Sequence, residues 1–235
     1  MFKHLRLVLR RTIAAGAILA FTPSPVFVLC TSPSAQSKPA AEEWTANFDG
    51  NSLDTTKWER FTFEGGSGGT LKVEGGQLRM RSVNGARSGV RTKQKFAADR
   101  FIVEVSLAKV GPALPDPGQG GSSLGFGSLT ILFDDSGRNR VEWILTSEGT
   151  FEAWAIVNGE SDRLDNRKLA TKIANPTLGI VRRGDEFLFM LNGQTGLQKT
   201  VKNLPHDFWV MLYGYGSSEN NWSSVRVVTL KQAQL

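Results

Sequence analysis

The stretch RVEWILTSEGTFEAWAIV, Arg140–Val157, decides the fold. Val141, Trp143 and Leu145 alternate with Arg140, Glu142 and Ile144, the period of two that marks a strand. Past a turn, Phe151, Ala153, Ala155 and Val157 alternate with Glu152, Trp154 and Ile156. A three-residue loop, Ser147-Glu148-Gly149, with Gly149 in the left-handed conformation, joins the two runs as a hairpin. That register pairs Leu145 with Phe151, Trp143 with Ala153 and Val141 with Ala155, a core face with a large ring opposite a small side chain. The other face pairs Glu142 with Trp154 and Ile144 with Glu152. A slip of one residue would move every side chain to the wrong face, so the pattern constrains the pairing tightly.

The preceding strand can be registered in the same way. With Asp134–Arg138 as the loop, Phe133 pairs with Asn139, Ile131 with Val141 and Leu129 with Trp143, which keeps one face apolar. The opposite face then reads Thr130, Glu142, Trp154 across three strands, with Ser128 and Ile144 beside it. Short alternating runs separated by Gly, Asn, Asp and Pro fill the rest of the chain from Trp44 to Leu230. They are Trp44–Phe48, Trp58–Phe63, Leu71–Val73, Gln77–Ser82, Gly89–Lys93, Phe101–Ala108, Ser128–Phe133, Thr177–Arg182, Glu186–Leu191, Gln198–Val201, Phe208–Tyr213 and Ser224–Leu230. About a dozen short strands without a long helical period predict an all-β sandwich of one domain. Gly111–Ser123, the longest breaker-rich segment, is expected to border one end of a sheet.

The first part of the chain reads differently. Lys3, Arg6, Arg10 and Arg11 precede the apolar run Thr12–Phe21, which ends at Pro23 and Pro25. A basic start, a short apolar middle and a small polar stretch describe a secretory signal over residues 1–35, followed by a linker over 36–43 and a domain over 44–235. Secreted, periplasmic or cell-surface placement is the expectation. Attachment to a membrane would need an uncleaved leader or a lipid on Cys30, the only cysteine. Leu29 stands where a lipoprotein signal wants a small residue. One cysteine excludes an internal disulfide and a thiolate metal cluster. Four of the 28 basic residues and none of the 22 acidic ones fall in residues 1–35. The remaining 24 against 22 give little support for nucleic-acid binding.

Several segments together resemble the concanavalin A-like lectin/glucanase superfamily. They are FDGNSLDTTKWE (Phe48–Glu59), VEGGQLRMRS (Val73–Ser82), VRRGDEFLFMLNG (Val181–Gly193) and LYGYGSSENNWSSVRV (Leu212–Val227). The resemblance implies a jelly roll of two curved antiparallel sheets whose concave face holds glycans in many members. Its glucanases carry carboxylates at alternate positions of one strand, Glu-x-Asp-x-x-Glu. That motif is absent: VEVSLA (Val103–Ala108) and VEWILT (Val141–Thr146) hold one Glu each. If the chain were a glycoside hydrolase or lyase, Glu104, Glu142 and Glu152 would have to supply a pair from different strands. A retaining enzyme sets its two carboxyls about 5–5.5 Å apart, an inverting one about 6.5–9.5 Å. Jelly rolls often carry one structural calcium, for which Asp49, Asp134 and Asp135 are the oxygen-rich candidates. Ser223-Ser224 stands where relatives often have an acid, and a simple turn at Asp134–Gly137 is the preferred reading. No other cofactor is expected.

The remaining chemistry is sparse. His206 lacks a Gly-x-Ser-x-Gly elbow to serve, and reads as a surface loop residue. Trp209, Met211, Tyr213 and Tyr215 alternate against Phe208, Val210 and Leu212, so one set must leave the core. Trp143 belongs to the core, and Trp44, Trp58 and Trp222 are expected to close it near the paired first and last strands. Arg91 and Lys93 could donate to a ligand or meet an acidic sugar. The expected site is Thr130, Glu142 and Trp154, flanked by Arg91, Glu104 and Glu152, holding a polysaccharide or other glycan without catalysis. A structural or adhesive role is the other class of reading.

Overall fold

The computed structural model describes residues 41–64, 69–81, 87–111, 125–169, 173–215 and 219–230. The leader-like segment and most of the loop after Gly111 lie outside them. The described chain is built of strands. In order they are β1 (Ala41–Asn47), β2 (Trp58–Glu64), β3 (Thr70–Glu74), β4 (Gln77–Arg81), β5 (Arg87–Thr92), β6 (Phe96–Ala97), β7 (Arg100–Val110) and β8 (Phe126–Leu132). There follow β9 (Arg140–Thr146), β10 (Thr150–Val157), β11 (Glu160–Lys168), β12 (Thr177–Arg183), β13 (Glu186–Leu191), β14 (Gln194–Thr200), β15 (Asp207–Tyr215) and β16 (Glu219–Leu230).

Two antiparallel sheets form. The first runs β14-β13-β12-β7-β16-β4-β3, with β1 also on β16; the second runs β11-β10-β9-β8-β15-β5-β2, with β6 on β15. Their inner faces make the core. From the second sheet come Leu129, Ile131, Val141, Trp143, Leu145, Phe151, Val210 and Leu212; from the first come Phe101, Val103, Val105, Ile180, Phe187, Phe189, Val225 and Val227. Each such side chain, fully buried, contributes roughly 1.5–3 kcal/mol of apolar transfer free energy. Trp143 packs on Phe151 and Phe189 at 5.1 and 5.5 Å between ring centroids, and its indole N–H donates to the Met190 carbonyl at 2.8 Å. Trp58 and Trp222 are buried, and Trp44 lies edge-on to Trp58 at 5.6 Å. The first and last strands pair from Ala41 with Leu230 to Asn47 with Ser224.

The hairpin has the register read from its alternation: Leu145 faces Phe151, Trp143 faces Ala153 and Val141 faces Ala155. Gly149 has φ 79° and donates its N–H to the Thr146 carbonyl at 3.0 Å, closing the turn. The strand before it also keeps its register, with Leu129 opposite Trp143, Thr130 opposite Glu142 and Ile131 opposite Val141. All the expected strands are present. Two were not expected. β6 has two residues. β11, ESDRLDNRK, is an exposed edge with one core-facing aliphatic, Leu164, so it lacks the apolar alternation that announces a strand.

Candidate functional site

The outer face of the second sheet carries a cross-strand row that begins at Glu59. It continues through Arg91, Met211, Thr130, Glu142 and Trp154 to Arg163, on β2, β5, β15, β8, β9, β10 and β11. Thr130, Glu142, Trp154 and Arg91 therefore do share one row. A second row beside it holds Phe61, Gly89, Tyr213, Ser128, Ile144, Glu152 and Asn166. On β15 it is Trp209, Met211, Tyr213 and Tyr215 that leave the core.

The middle of this face is not a solvated surface. Ser128, Thr130 and Tyr213 have no exposed area, and Glu142 keeps 1 %. Burial of polar groups demands partners. The Ser128 and Thr130 hydroxyls lie 2.9 Å apart. The Arg140 guanidinium donates to Glu142 at 2.6 Å, and Arg87 stands 3.6 Å from the same carboxylate oxygen. Arg87 also donates to the Tyr213 hydroxyl at 3.2 Å. Burial first, then the Glu142 carboxylate, pushes the Tyr213 phenol far above its ordinary pKa, against the opposing pull of Arg87, Arg140 and Ser128. Tyr213 is thus a neutral hydroxyl in a buried, charge-paired floor.

Beside that floor a cavity of about 190 Å³ opens, lined by Arg87, Phe126, Arg140, Glu142, Ile144, Glu152, Trp154, Ile156 and Ser161. Trp154 and Glu152 sit at its β10 side, both half-buried. The Trp154 indole N–H donates to Glu152 at 3.0 Å, and the Asn166 amide donates to the other Glu152 oxygen at 3.0 Å. Arg163 reaches over the Trp154 ring at 5.8 Å from its centroid, at the outer range of a cation–π contact. On β10 the register shifts against β11 between Ala153 and Trp154, a bulge of the kind that re-aims a side chain. Phe126 stacks on Tyr215 at 5.1 Å and forms the other aromatic element of the face.

The remaining expected residues are placed elsewhere or committed otherwise. Glu104 does not join this face. Its strand, β7, pairs with β12 and β16 in the first sheet, so Val103 and Val105 point to the core and Glu104 to the opposite outside of the sandwich. There Arg226 binds it at 3.1 Å and Glu43 at 3.0 Å. Thr130 is floor, not rim. Arg91 is bound by Glu59 and Asp135, both at 2.6 Å, and lies over Phe61 at 3.9 Å and Trp209 at 4.9 Å. Asp135 is therefore an arginine partner. Asp134 closes its own turn: it accepts from Ser136 at 2.7 Å, Asn139 at 2.7 Å and the Arg138 N–H at 3.0 Å. Burial alone would raise its pKa, but these hydrogen bonds outweigh it and hold the group below the ordinary value. Asp49 is exposed beside Gly50. Among the described residues no three acidic, His or Cys side chains converge as a metal site. His206 is exposed and contacts Asp99.

Arg140, Arg87 and Phe126 are absent from the site expected from sequence, whereas Tyr215 belongs to an alternating set of which one half had to leave the core. Arg140 was legible, since it lies two residues before Glu142 on one strand and so shares its face. Arg87 was not, because it stands in a Gly- and Ser-rich stretch without alternation.

No protein-family model and no curated protein sequence matches the chain. Solved structures do. An endo-β-1,3-glucanase from Pyrococcus furiosus superposes with a TM-score of 0.61 at 14 % identity, covering 81 % of this chain and 94 % of its own. The catalytic domain of a laminarinase from Thermotoga petrophila gives 0.58 at 14 %, covering 83 % and 100 %. The carbohydrate-binding module CBM66 from Bacillus subtilis gives 0.52 at 15 %, covering 72 % and 92 %. The chain has the concanavalin A-like jelly-roll fold.

Proposed function

We propose that this domain is exported and binds a polysaccharide, without cleaving it, on the outer face of its second sheet. The fold is shared with glucanases and with a carbohydrate-binding module, which supports a carbohydrate ligand. The leader-like residues 1–35 support export. The observation that carries the non-catalytic reading is the state of the carboxylates. The face-directed positions of β9 are Arg140, Glu142, Ile144 and Thr146, so one strand offers one carboxylate, and that one is buried on an arginine. Glu152, its diagonal neighbour, has both oxygens hydrogen-bonded. Both carboxylates are held by neighbouring side chains, which supports binding over attack or proton transfer at a glycosidic bond.

A sugar ring presents an apolar C–H face and polar hydroxyls. Trp154 supplies the flat apolar partner, and Glu152, Asn166 and Arg87 supply polar ones around it. The cavity is smaller than the roughly 300–1,000 Å³ that encloses a drug-sized ligand. It fits one small unit of a chain that otherwise lies on the surface.

A glycan array with the wild type and Trp154→Ala tests the placement: the variant is expected to lose the glycans that the wild type retains. Unchanged binding by the variant would remove the site from this face. Glu142→Gln and Glu152→Gln are expected to weaken binding only. A turnover that either abolishes would convert the reading to the enzymatic one.

A further inference from the structure

The motif Phe48–Glu59 contributes nothing to the cavity beside Trp154. It builds one wall of a cavity of about 810 Å³, on the side of the sandwich where β2 ends the second sheet and β3 ends the first. Leu53, Leu71, Val73 and Trp58 give it an apolar inner wall, and Asn51, Ser52 and Thr55 line its rim. The rim is preorganised. Asp54 accepts from the Thr56 N–H at 2.9 Å and from its hydroxyl at 2.5 Å, and the Trp58 N–H donates to the Asp54 carbonyl at 2.9 Å. The indole N–H of Trp58, a residue 1 % exposed, has no hydrogen-bond partner among the described residues.

The charges around this cavity are unequally committed. Its two carboxylates are spent outside it: Glu59 binds Arg91 at 2.6 Å, and Glu74 binds Arg79 at 3.3 Å. Its three cations, Arg60, Lys72 and Lys93, have side chains that make no hydrogen bond or ion pair with the described residues. Three cations without partners among the described residues, over an aliphatic and aromatic wall with amide and hydroxyl groups at the rim, are complementary to an anion carried on a sugar ring. We infer that this side cavity is a second ligand site, which takes an acidic saccharide: a sugar unit bearing a carboxylate or a sulfate.

Lys72, Lys93 and Arg60 meet the anion, the wall of Leu53, Leu71 and Val73 meets the C–H face, and Asn51 and Thr55 meet hydroxyls. Glu59 stands five strands from Trp154 along the cross-strand row, about 24 Å at the usual strand spacing. The side cavity is therefore separate from the face around Trp154.

The test is calorimetric titration of the full chain, with the Trp58 and Trp154 indole N–H resonances followed in parallel. The probes are a galacturonate tetramer, a sulfated tetrasaccharide, a neutral β-glucan tetramer and inorganic sulfate. At least one acidic tetramer is expected to bind and to shift the Trp58 resonance, more weakly as salt rises. Which of the two binds identifies the anion as carboxylate or sulfate. Lys72→Ala/Lys93→Ala is expected to lower that affinity about tenfold or more, and Lys72→Arg/Lys93→Arg to retain it. Both pairs are exposed, so an unchanged melting temperature checks the fold. The inference is overturned if neither acidic tetramer moves Trp58, if the neutral tetramer or sulfate alone moves it equally, or if the alanine variant binds like the wild type. Binding on the outer face reports on Trp154 instead, so the two readings fail separately.

Discussion

The two outer faces of the sandwich carry the same pairing of glutamate with arginine, and the pairing means different things on each. On the first sheet Arg226 joins Glu104 and Glu43, with side-chain exposures of 45 %, 29 % and 50 %. On the second sheet Arg140 joins Glu142, with exposures of 6 % and 2 %. An exposed pair exchanges water for a partner at little gain. A buried pair has given up its water, and each charge depends on the other. The pair on the first face lies in solvent, beside the buried aliphatics Val181, Leu188 and Val228. The pair on the second face is part of a buried polar floor with aromatic side chains around it.

Substitutions can break this contrast. The largest expected effect concerns the two tryptophans of the hairpin. Trp143→Ala should lower the unfolding free energy by about 3–5 kcal/mol, since it empties the contact with Phe151 and Phe189 and removes the indole hydrogen bond to the Met190 carbonyl. Trp154→Ala should stay within about 1 kcal/mol of wild type. Urea denaturation of both variants measures the difference, and equal losses would erase the distinction between core and face.

Next come the glutamates. Glu142→Ala leaves the Arg140 charge buried without its carboxylate, at an expected cost of about 3–5 kcal/mol. Glu104→Ala should cost at most about 1 kcal/mol. Denaturation in low and high salt sharpens the test, because added salt should shrink only the Glu104 effect.

The smallest effect belongs to Asp134. Its folded-state pKa lies below the unfolded value of about 3.9, so as pH falls the unfolded chain takes up the proton first. Its contribution is complete above the unfolded pKa and is lost as pH drops through the folded one. Asp134→Ala should therefore show a shallower loss of stability below pH 4 than the wild type. A parallel decline would mean that the Ser136, Asn139 and Arg138 hydrogen bonds do not form.

What the sequence disclosed was local. Alternation sufficed to set Trp143 against Ala153 and Glu142 against Trp154, because each strand had one face to bury and the turns were short. It placed Thr130 beside Glu142 for the same reason. Alternation could not say which sheet a strand joins. Val103–Ala108 and Val141–Thr146 look alike as strings, and only long-range pairing sends Glu104 to one side of the sandwich and Glu142 to the other. Nor could it foresee that a polar outward row would be buried, since period two distinguishes the faces of a strand and not their depth. β11 escaped notice because a polar edge strand has no apolar face to announce it. Asp135 was a calcium candidate by its neighbours in sequence, with a simple turn the preferred reading, and the Arg91 that pairs with it lies 44 residues earlier in the chain.

Binding without cleavage on the face around Trp154 is what we propose for this domain. Its most direct test is to saturate the wild-type protein with an oligosaccharide it retains, hold the complex for a day, and determine the mass of the recovered sugar. The ligand should return at its full length, with the Trp154 resonance shifted while it was bound. Shorter products that vanish in Glu142→Gln or Glu152→Gln would contradict the claim and make this face an active site.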